Sequence, residues 1–331
     1  MVPDAALVER FRSDLDALSA PGERIGIAVS GGPDSLALLL LAAASRPGQV
    51  EAATVDHGLR PESAVEAQMV AGVCERLGVP HTILVIDWPE KPTSNIQAQA
   101  REARYARLGL WALDHGLTAV TTAHHADDQA ETLLMRLARG SGVAGLGGIR
   151  RWSPLAMRGD YGAQHTIAIR PLLKWRRAEL ATIVGDAGLT PAEDPSNHDD
   201  RFDRTRARAL LASHEWLDPV RLAGAAANFA DADEALSWVT GREYAARSSS
   251  DGTTIDTRNL PYEIQRRLLA DAIEMLTSER PRGPDLVRAL DILLRGGTTT
   301  LAGLKLEGGP VWKISWAPAR RSPKSRGVAS K

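Results

Sequence analysis

Residues 24–35 read RIGIAVSGGPDS. The first seven form a short apolar run rich in β-branched side chains, which reads as a strand buried on both faces. Ser30-Gly31-Gly32-Pro33-Asp34-Ser35 follows without a spacer, and the apolar run behind it opens a helix. Glycines let a backbone turn sharply and approach a ligand with no Cβ in the way. The free N–H groups and the dipole of the following helix favour an anion at such a turn. Ser30 and Ser35 add hydroxyl donors, and Pro33 at the first helical position gives up only an N–H that would be orphaned. Asp34 would repel a bare phosphate, but suits one if Mg²⁺ stands between the two. The plainer alternative is a glycine turn with a serine cap. Neither G-x-G-x-x-G nor G-x-x-x-x-G-K-[ST] occurs at this strand, so the usual dinucleotide and Walker readings do not apply.

Outward from this stretch, Leu7, Phe11, Leu15 and Leu18 recur at helical spacing before Pro21-Gly22. Downstream, the pattern predicts a helix at 34–45, a strand at 50–56, a helix at 63–77, a strand at 81–86 and a helix at 95–115. A strand at 119–122 and a helix at 127–139 follow. That alternation predicts an α/β fold, a doubly wound parallel sheet with helices on both faces. Such sheets bind ligands beyond the carboxyl ends of their strands. Three polar clusters fall there: 30–35, Asp56-His57-Gly58, and 124–128. A fifth strand is expected at 167–173, a helix at 176–188, a polar loop at 194–200 and an Arg-rich helix at 202–213. From 215 helical patterns dominate, at 219–246, 261–276 and 284–294, with a strand-like 253–256 and a hairpin or meander at 298–316. The expected division is a domain at 1–213, a mainly helical smaller C-terminal domain at 214–318, and a basic disordered tail at 319–331.

A length of 331 residues suits two domains, and 44% hydrophobic with 24% charged residues gives no case for global disorder. With a formal net charge of −1, any nucleic-acid surface has to be local. The single cysteine, Cys74, excludes an intrachain disulfide or a multi-cysteine metal site. It sits among Val70, Val73 and Leu77 as a small apolar helix residue. The start shows no apolar signal region, and the longest apolar run, 36–44, is too short to span a bilayer, so a cytoplasmic enzyme is expected.

The hexapeptide at 30–35 has the SGGxDS form of the PP-loop ATP pyrophosphatases, and the chain resembles that superfamily, with its adenine nucleotide alpha-hydrolase-like fold. The resemblance implies cleavage of ATP between the α and β phosphates, giving an adenylate and pyrophosphate. Further segments are similar to the tRNA(Ile)-lysidine synthetases: 56–64 DHGLRPESA, 95–105 NIQAQAREARY, 122–145 TAHHADDQAETLLMRLARGSGVAG, 170–173 RPLL and 194–208 DPSNHDDRFDRTRAR. The register holds over about 24–210, with Thr205 where Asn is expected. Beyond 215 the chain resembles the helical first C-terminal domain of that family, and a second large C-terminal domain is expected to be truncated or absent. Thiolases of the superfamily need catalytic or cluster-binding cysteines, which one cysteine does not provide. The family resemblance implies that ATP adenylates O2 of the wobble cytidine in a tRNA(Ile) with a CAU anticodon. The ε-amine of free L-lysine then attacks C2 and releases AMP. It also suggests a homodimer.

Residue roles are expected on this basis. Ser30, Gly31, Gly32, Pro33, Asp34 and Ser35 bind ATP, with Asp34 also holding Mg²⁺. Asp56 and His57 either meet the adenosine or form a strand-end turn. Asp128, Glu131 and Thr132 are spaced to share a helix face, and an anionic face suits the two amines of lysine, so Asp128 and Glu131 are assigned to lysine. Helix capping by Asp127 or Asp128 is the simpler account of that pair. Asp34, His125, Asp128 and Arg101 are the expected catalytic groups. Arg101, Arg104 and Arg107 step along one helix as either a solvated stripe or, for the first two, a phosphate or tRNA contact. Arg201, Arg204, Arg206 and Arg208 are the densest basic cluster, read as a lid over ATP or tRNA against a rival in which Asp199, Asp200 and Asp203 balance them. Trp216 and Trp238 are expected to pack in a core or interface.

Overall fold

The computed structural model of the chain describes residues 1–59, 62–88, 93–155, 166–192 and 203–318. It divides into two compact units, Met1–Asp231 and Ala232–Lys331. The first contains α1 (Ala5–Asp16), β1 (Ile25–Ala28), α2 (Pro33–Ser45), β2 (Val50–Asp56), α3 (Glu62–Leu77), β3 (His81–Val85), α4 (Ile96–Asp114) and β4 (Ala119–Thr121). It continues through α5 (Ala126–Ala138), α6 (Val143–Leu146), β5 (Trp152–Pro154), β6 (Ile167–Ile169), α7 (Arg177–Asp186) and α8 (Asp203–Ser213). The division between the units falls within α9 (Pro219–Arg247).

The sheet of the first unit has the order β3-β2-β1-β4-β6-β5. Every pair is parallel except the last, where β5 runs against β6. Ile25 of β1 stands opposite Val50 on one side and Ala119 on the other. The chain therefore winds outward from β1 to β3 and returns to start the other half at β4. The crevice that opens at such a reversal lies beyond the carboxyl ends of the two central strands. It brings the loop after β1 beside the residues after β4.

Burial explains why α2 carries almost no polar face: Leu36, Leu38, Leu39, Leu40 and Leu41 are all buried among Phe11, Leu15, Ile25, Ile27, Leu180 and Ile183. The other side of the sheet is closed by Leu108 and Trp111 of α4 with Leu117 and Val120. Gly26 is required at that contact, since a Cβ there would lie 2.5 Å from the Trp111 ring. The strand expected at 167–173 ends at Ile169. Pro171 has no N–H with which to extend a ladder, and the chain turns there. Strand β5 was not expected at all, since Trp152-Ser153-Pro154 carries no strand pattern.

The second unit holds β7 (Thr254–Asp256), α10 (Tyr262–Thr277), α11 (Gly283–Leu294), β8 (Thr298–Leu301), β9 (Leu304–Glu307) and β10 (Val311–Trp316). The meander expected at its end is present, and β7 joins it in an antiparallel sheet of order β7-β10-β9-β8. Trp312 and Ile314 point into a core with Leu268, Leu269, Ile273, Leu290 and Leu293, while Val311 and Lys313 face out. Among the described residues no helix is long and apolar enough to cross a membrane.

Candidate active site

The loop after β1 is built to leave amides free. Gly31 takes a left-handed φ of +88°, which a side chain would disfavour, and its carbonyl accepts the Ala192 N–H at 2.9 Å. Ser35 Oγ accepts the Ser30 N–H at 3.1 Å and donates to the Gly32 carbonyl at 2.9 Å, fastening the loop onto the first turn of α2. Gly32 is the N-cap of that helix and offers no side-chain acceptor, and Pro33 follows it. The amides of Gly31 and Gly32 meet no acceptor among the described residues. Free N–H groups at a helix N-terminus form an anion-binding nest.

A cleft of about 710 Å³ opens over this loop, within the usual range for a small-molecule site. Ala28, Ala53, Val55 and Leu108 give it an apolar wall, while Ser30, Gly32, Asp34, His57, Arg101, Arg104 and His124 give it a polar one. Of the second-strand pair, only His57 lines it. Asp56 instead accepts the Gly58 N–H at 2.9 Å and the Ser63 hydroxyl at 2.5 Å, the pattern of a strand-end turn. Arg104 Nε stands 3.3 Å from His57 Nε2, and Trp88 Nε1 donates to the His57 carbonyl at 2.7 Å. Arg101 lies over the Tyr105 ring at 4.9 Å, whereas Arg107 is tied to the Val85 carbonyl at 2.8 Å.

Behind the loop, α5 begins with a histidine cap, in place of the expected Asp127 or Asp128. His125 Nδ1 accepts the Asp128 N–H at 3.3 Å and Asp128 Oδ2 accepts the His125 N–H at 3.2 Å, a reciprocal capping box. The fully buried imidazole sits among three carboxylates: Nε2 is 3.4 Å from Asp34 Oδ2 and 3.4 Å from Asp128 Oδ2, and Nδ1 is 3.7 Å from Asp127 Oδ2. With Nδ1 accepting, the proton of the neutral ring is on Nε2, facing Asp34. Arg177 Nε lies 3.4 Å from that same nitrogen. Both nitrogens then carry hydrogen, so Arg177 acts on the ring as a nearby charge. Burial opposes protonation of His125, but the hydrogen bond to Asp34 and the charges of Asp128 and Asp34 outweigh it and raise its pKa. Next to it, burial and the cations Arg170 and Arg101 push His124 down to about 4, so it is neutral near pH 7. Burial works against charge on Asp128 too, yet His125, His124 and Arg177 hold its pKa below the usual carboxylate range.

The remaining acids are committed to different neighbours. Asp127 accepts the Arg177 N–H at 2.8 Å and pairs with Arg176 at 3.3 Å, tying α5 to the start of α7. Glu131, its side chain only 2% exposed, meets Arg208 at 2.7 Å, Arg204 at 3.1 Å and Arg177 at 3.7 Å. Asp34 Oδ1 is buried and meets no partner among the described residues. No group of three or more His, Cys, Asp or Glu is placed to hold a metal by itself among those residues. The structure thus brings Asp34, His125 and Asp128 together. Asp128 and Glu131 stand behind the cleft and do not line it.

Of the arginine cluster, Arg204 and Arg208 turn to Glu131, Arg206 is exposed, and Arg201 lies outside the described residues. Arg177 was missed in the sequence, although Arg176-Arg177 follows RPLL just past the carboxyl end of β6, where a ligand edge is expected. Trp216 and Trp238, expected to be packed, are 76% and 63% exposed.

Residues 7–215 match the family of the PP-loop domain. The chain is 49% identical over 316 residues to a tRNA(Ile)-lysidine synthase of Novosphingobium aromaticivorans, covering 95% of this chain and 94% of that protein. It is 45% identical over 308 residues to a tRNA(Ile)-lysidine synthase of Zymomonas mobilis, covering 92% of each. Among solved structures it is similar to a U34-tRNA thiolase from Methanococcus maripaludis with its 4Fe-4S cluster. That match has a TM-score of 0.55 at 16% identity and covers 69% of this chain and 80% of the other. At that identity the likeness is one of fold.

Proposed function

Since this chain belongs to the tRNA(Ile)-lysidine synthase family of PP-loop enzymes, we propose a division of labour within its site. The chain is an ATP-dependent ligase that modifies tRNA(Ile). ATP lies in the cleft with its base against the apolar wall and His57 near the adenosine. Its phosphates meet the Gly31 and Gly32 amides and the hydroxyl of Ser30, with Ser35 joining them once its hydroxyl turns from the Gly32 carbonyl. Asp34 holds Mg²⁺ through the buried Oδ1 that has no protein partner, which fits a hard cation. When bound, the ion offsets charge on the phosphates.

Adenylation joins O2 of the wobble cytidine of a CAU-anticodon tRNA to the α-phosphorus of ATP, and pyrophosphate leaves. Arg101 and Arg104, on the polar wall, offset the negative charge that builds up there. In the second half, the ε-amine of free L-lysine attacks C2, the C2–O2 bond breaks and AMP departs carrying that oxygen. The attacking ammonium must first lose a proton, and Asp128, kept ionised beside His125, is the carboxylate placed to take it, with His125 positioning Asp34 and Asp128. Asp128 and Glu131 hold the lysine amines. Because Glu131 carries three guanidinium contacts, an incoming ammonium must displace one of them. Arg206, exposed on α8, faces the polyanions, while Arg204 and Arg208 stay on Glu131. A homodimer in the cytoplasm completes the reading.

One observation carries this assignment: the 3.4 Å approach of His125 Nε2 to Asp34 Oδ2, which links the phosphate loop to the acids of α5. The test mixes the protein with ATP, Mg²⁺, labelled lysine and a CAU-anticodon tRNA(Ile) transcript. Label should enter the RNA only with every component present, and no incorporation by a folded, ATP-binding sample would defeat the proposal. Sulfur transfer by a cluster-bearing enzyme is disfavoured, because the one cysteine, Cys74, is buried and burial raises its pKa to about 12.

A further inference from the structure

We propose that the outer face of α8 and the turn after it form a stacking platform for an unpaired base of the RNA, with Trp216 as the base-contacting ring and Arg206 as the phosphate contact. The proposal rests on the tRNA-modifying role assigned above.

Its starting point is the arginine spacing. Positions two apart on an α-helix lie roughly 200° round its axis, and positions four apart nearly coincide. Arg204 and Arg208 therefore share one face of α8, and both reach Glu131. Arg206, between them, is turned away and exposed, and it makes no ion pair among the described residues. One turn further on the same side, Leu210 is 41% exposed. The helix ends at Ser213, and His214 to Leu217 form a turn closed by the Leu217 N–H on the His214 carbonyl at 2.9 Å. His214 Nδ1 is held 3.2 Å from the Leu210 carbonyl, which seats its ring on the last turn of the helix. The Trp216 indole meets that ring at 89° with centroids 6.4 Å apart.

An indole placed by its neighbour yet left 76% exposed is unusual for a side chain whose burial is so favourable. Two turns back along the same side of α8 is the exposed Arg206 guanidinium, which makes no ion pair with a carboxylate among the described residues, Glu215 included. A ring with a cation at its side is how proteins hold unpaired bases, which stack while a neighbouring phosphate takes the charge. The chain has no overall positive charge to recruit RNA, so recognition must come from local features of this kind. The inward face of the same helix touches Glu131, next to the carboxylate cluster, so a base seated here belongs to the RNA already at the site. Stacking tolerates any base, so the platform should grip the loop without reading its sequence.

The test measures binding of a fluorescent tRNA(Ile) transcript to the full chain over a salt series. Trp216→Ala should raise Kd by about five- to hundredfold, the usual range for loss of one stacked base, and should leave the slope of log Kd against log salt unchanged. Trp216→Phe should stay within about threefold of wild type, because a ring remains to stack. Arg206→Gln should weaken binding and reduce the salt slope by about one. Thermal melting of each variant checks that the fold is kept. Wild-type Kd retained within twofold by Trp216→Ala overturns the platform. So does a Trp216→Ala variant that changes sedimentation mass at unchanged RNA affinity, since the patch would then be a protein contact. Failure of the wild-type chain itself to bind the transcript defeats the functional reading, and the platform with it.

Discussion

Glu131→Gln keeps the size of the side chain and removes one charge from the point where α5, α7 and α8 meet. The carboxylate is 2% exposed and lies within 2.7, 3.1 and 3.7 Å of Arg208, Arg204 and Arg177. A unit pair at such range is worth about 4 kcal/mol at an effective dielectric near 20. The three guanidiniums keep between 30% and 39% of their side-chain surface in water, so each is screened and the three terms do not add. Against them stands the desolvation of the carboxylate, several kcal/mol by itself. Breaking such a buried pair usually costs about 3–5 kcal/mol. Glutamine still offers an acceptor oxygen to one arginine, so the lower end, about 3 kcal/mol, is expected. For a unit of this size that is a Tm lower by roughly 6–12 °C. Thermal and urea melts of the variant measure it directly. Glu131→Leu combined with Arg208→Met should recover part of the loss, because an apolar pair restores the packing while Arg177 and Arg204, each about a third exposed, turn to water. A Tm within 2 °C of wild type for Glu131→Gln would refute the clamp and leave Glu131 free to meet a substrate ammonium at no structural cost.

Three further outcomes follow from the site and the core. His124 has its folded pKa lowered from 6.5 to about 4 by burial, so stability present above pH 6.5 is lost as pH falls toward 4, by about 3 kcal/mol in all. His125, with a raised pKa, works in the opposite sense, so the check compares urea midpoints of wild type and His124→Asn across that window; equal slopes would contradict the assignment. Asp34→Asn should reduce pyrophosphate release by about a hundredfold or more with little change in Tm, since Oδ1 meets no partner among the described residues and the amide oxygen can still accept from His125 Nε2; undiminished release would remove the metal role. Gly148 has φ +60° and an added Cβ would lie 2.3 Å from Gln129 Oε1, which holds the Ile149 N–H at 2.6 Å. Gly148→Ala should therefore cost about 2–4 kcal/mol from backbone strain and a broken clasp, and a loss under 0.5 kcal/mol in a urea melt would show that the loop yields freely.

The α/β fold was legible because its signals are local. Ile25, Ile27 and Val29 mark a strand by composition, and the helix after it is so apolar that only burial on nearly every side accounts for it. Where those signals fail, the reading failed too. Trp152-Ser153-Pro154 becomes a strand only because Ile167–Ile169 offers a ladder to pair with, which no property of the three residues announces. Conversely, the apolar run after Ile169 looked like more strand, and Pro171 decided otherwise.

The site shows a sharper boundary between what spacing can and cannot tell. Residues three and four apart on α5 do share a face, so the neighbourhood of Asp128, Glu131 and Thr132 could be read in advance. The occupancy of that face could not, because Arg208 comes from 77 positions away in sequence and Arg177 from a helix with no expected role. A histidine cap on α5 was hidden for a related reason: Asp and Asn are the favoured caps, and His125 takes the position because its ring is also needed between Asp34 and Asp128. Spacing alone, however, already contained the split within α8. Arginines at 204, 206 and 208 cannot all point one way on a helix. Treating them as one basic cluster summed charges that the helix separates, two toward a buried acid and one toward solvent. The two inward arginines neutralise Glu131, so the proposed lysine site and α8 draw on the same carboxylate, and under that proposal lysine should bind more weakly the more firmly α8 is held.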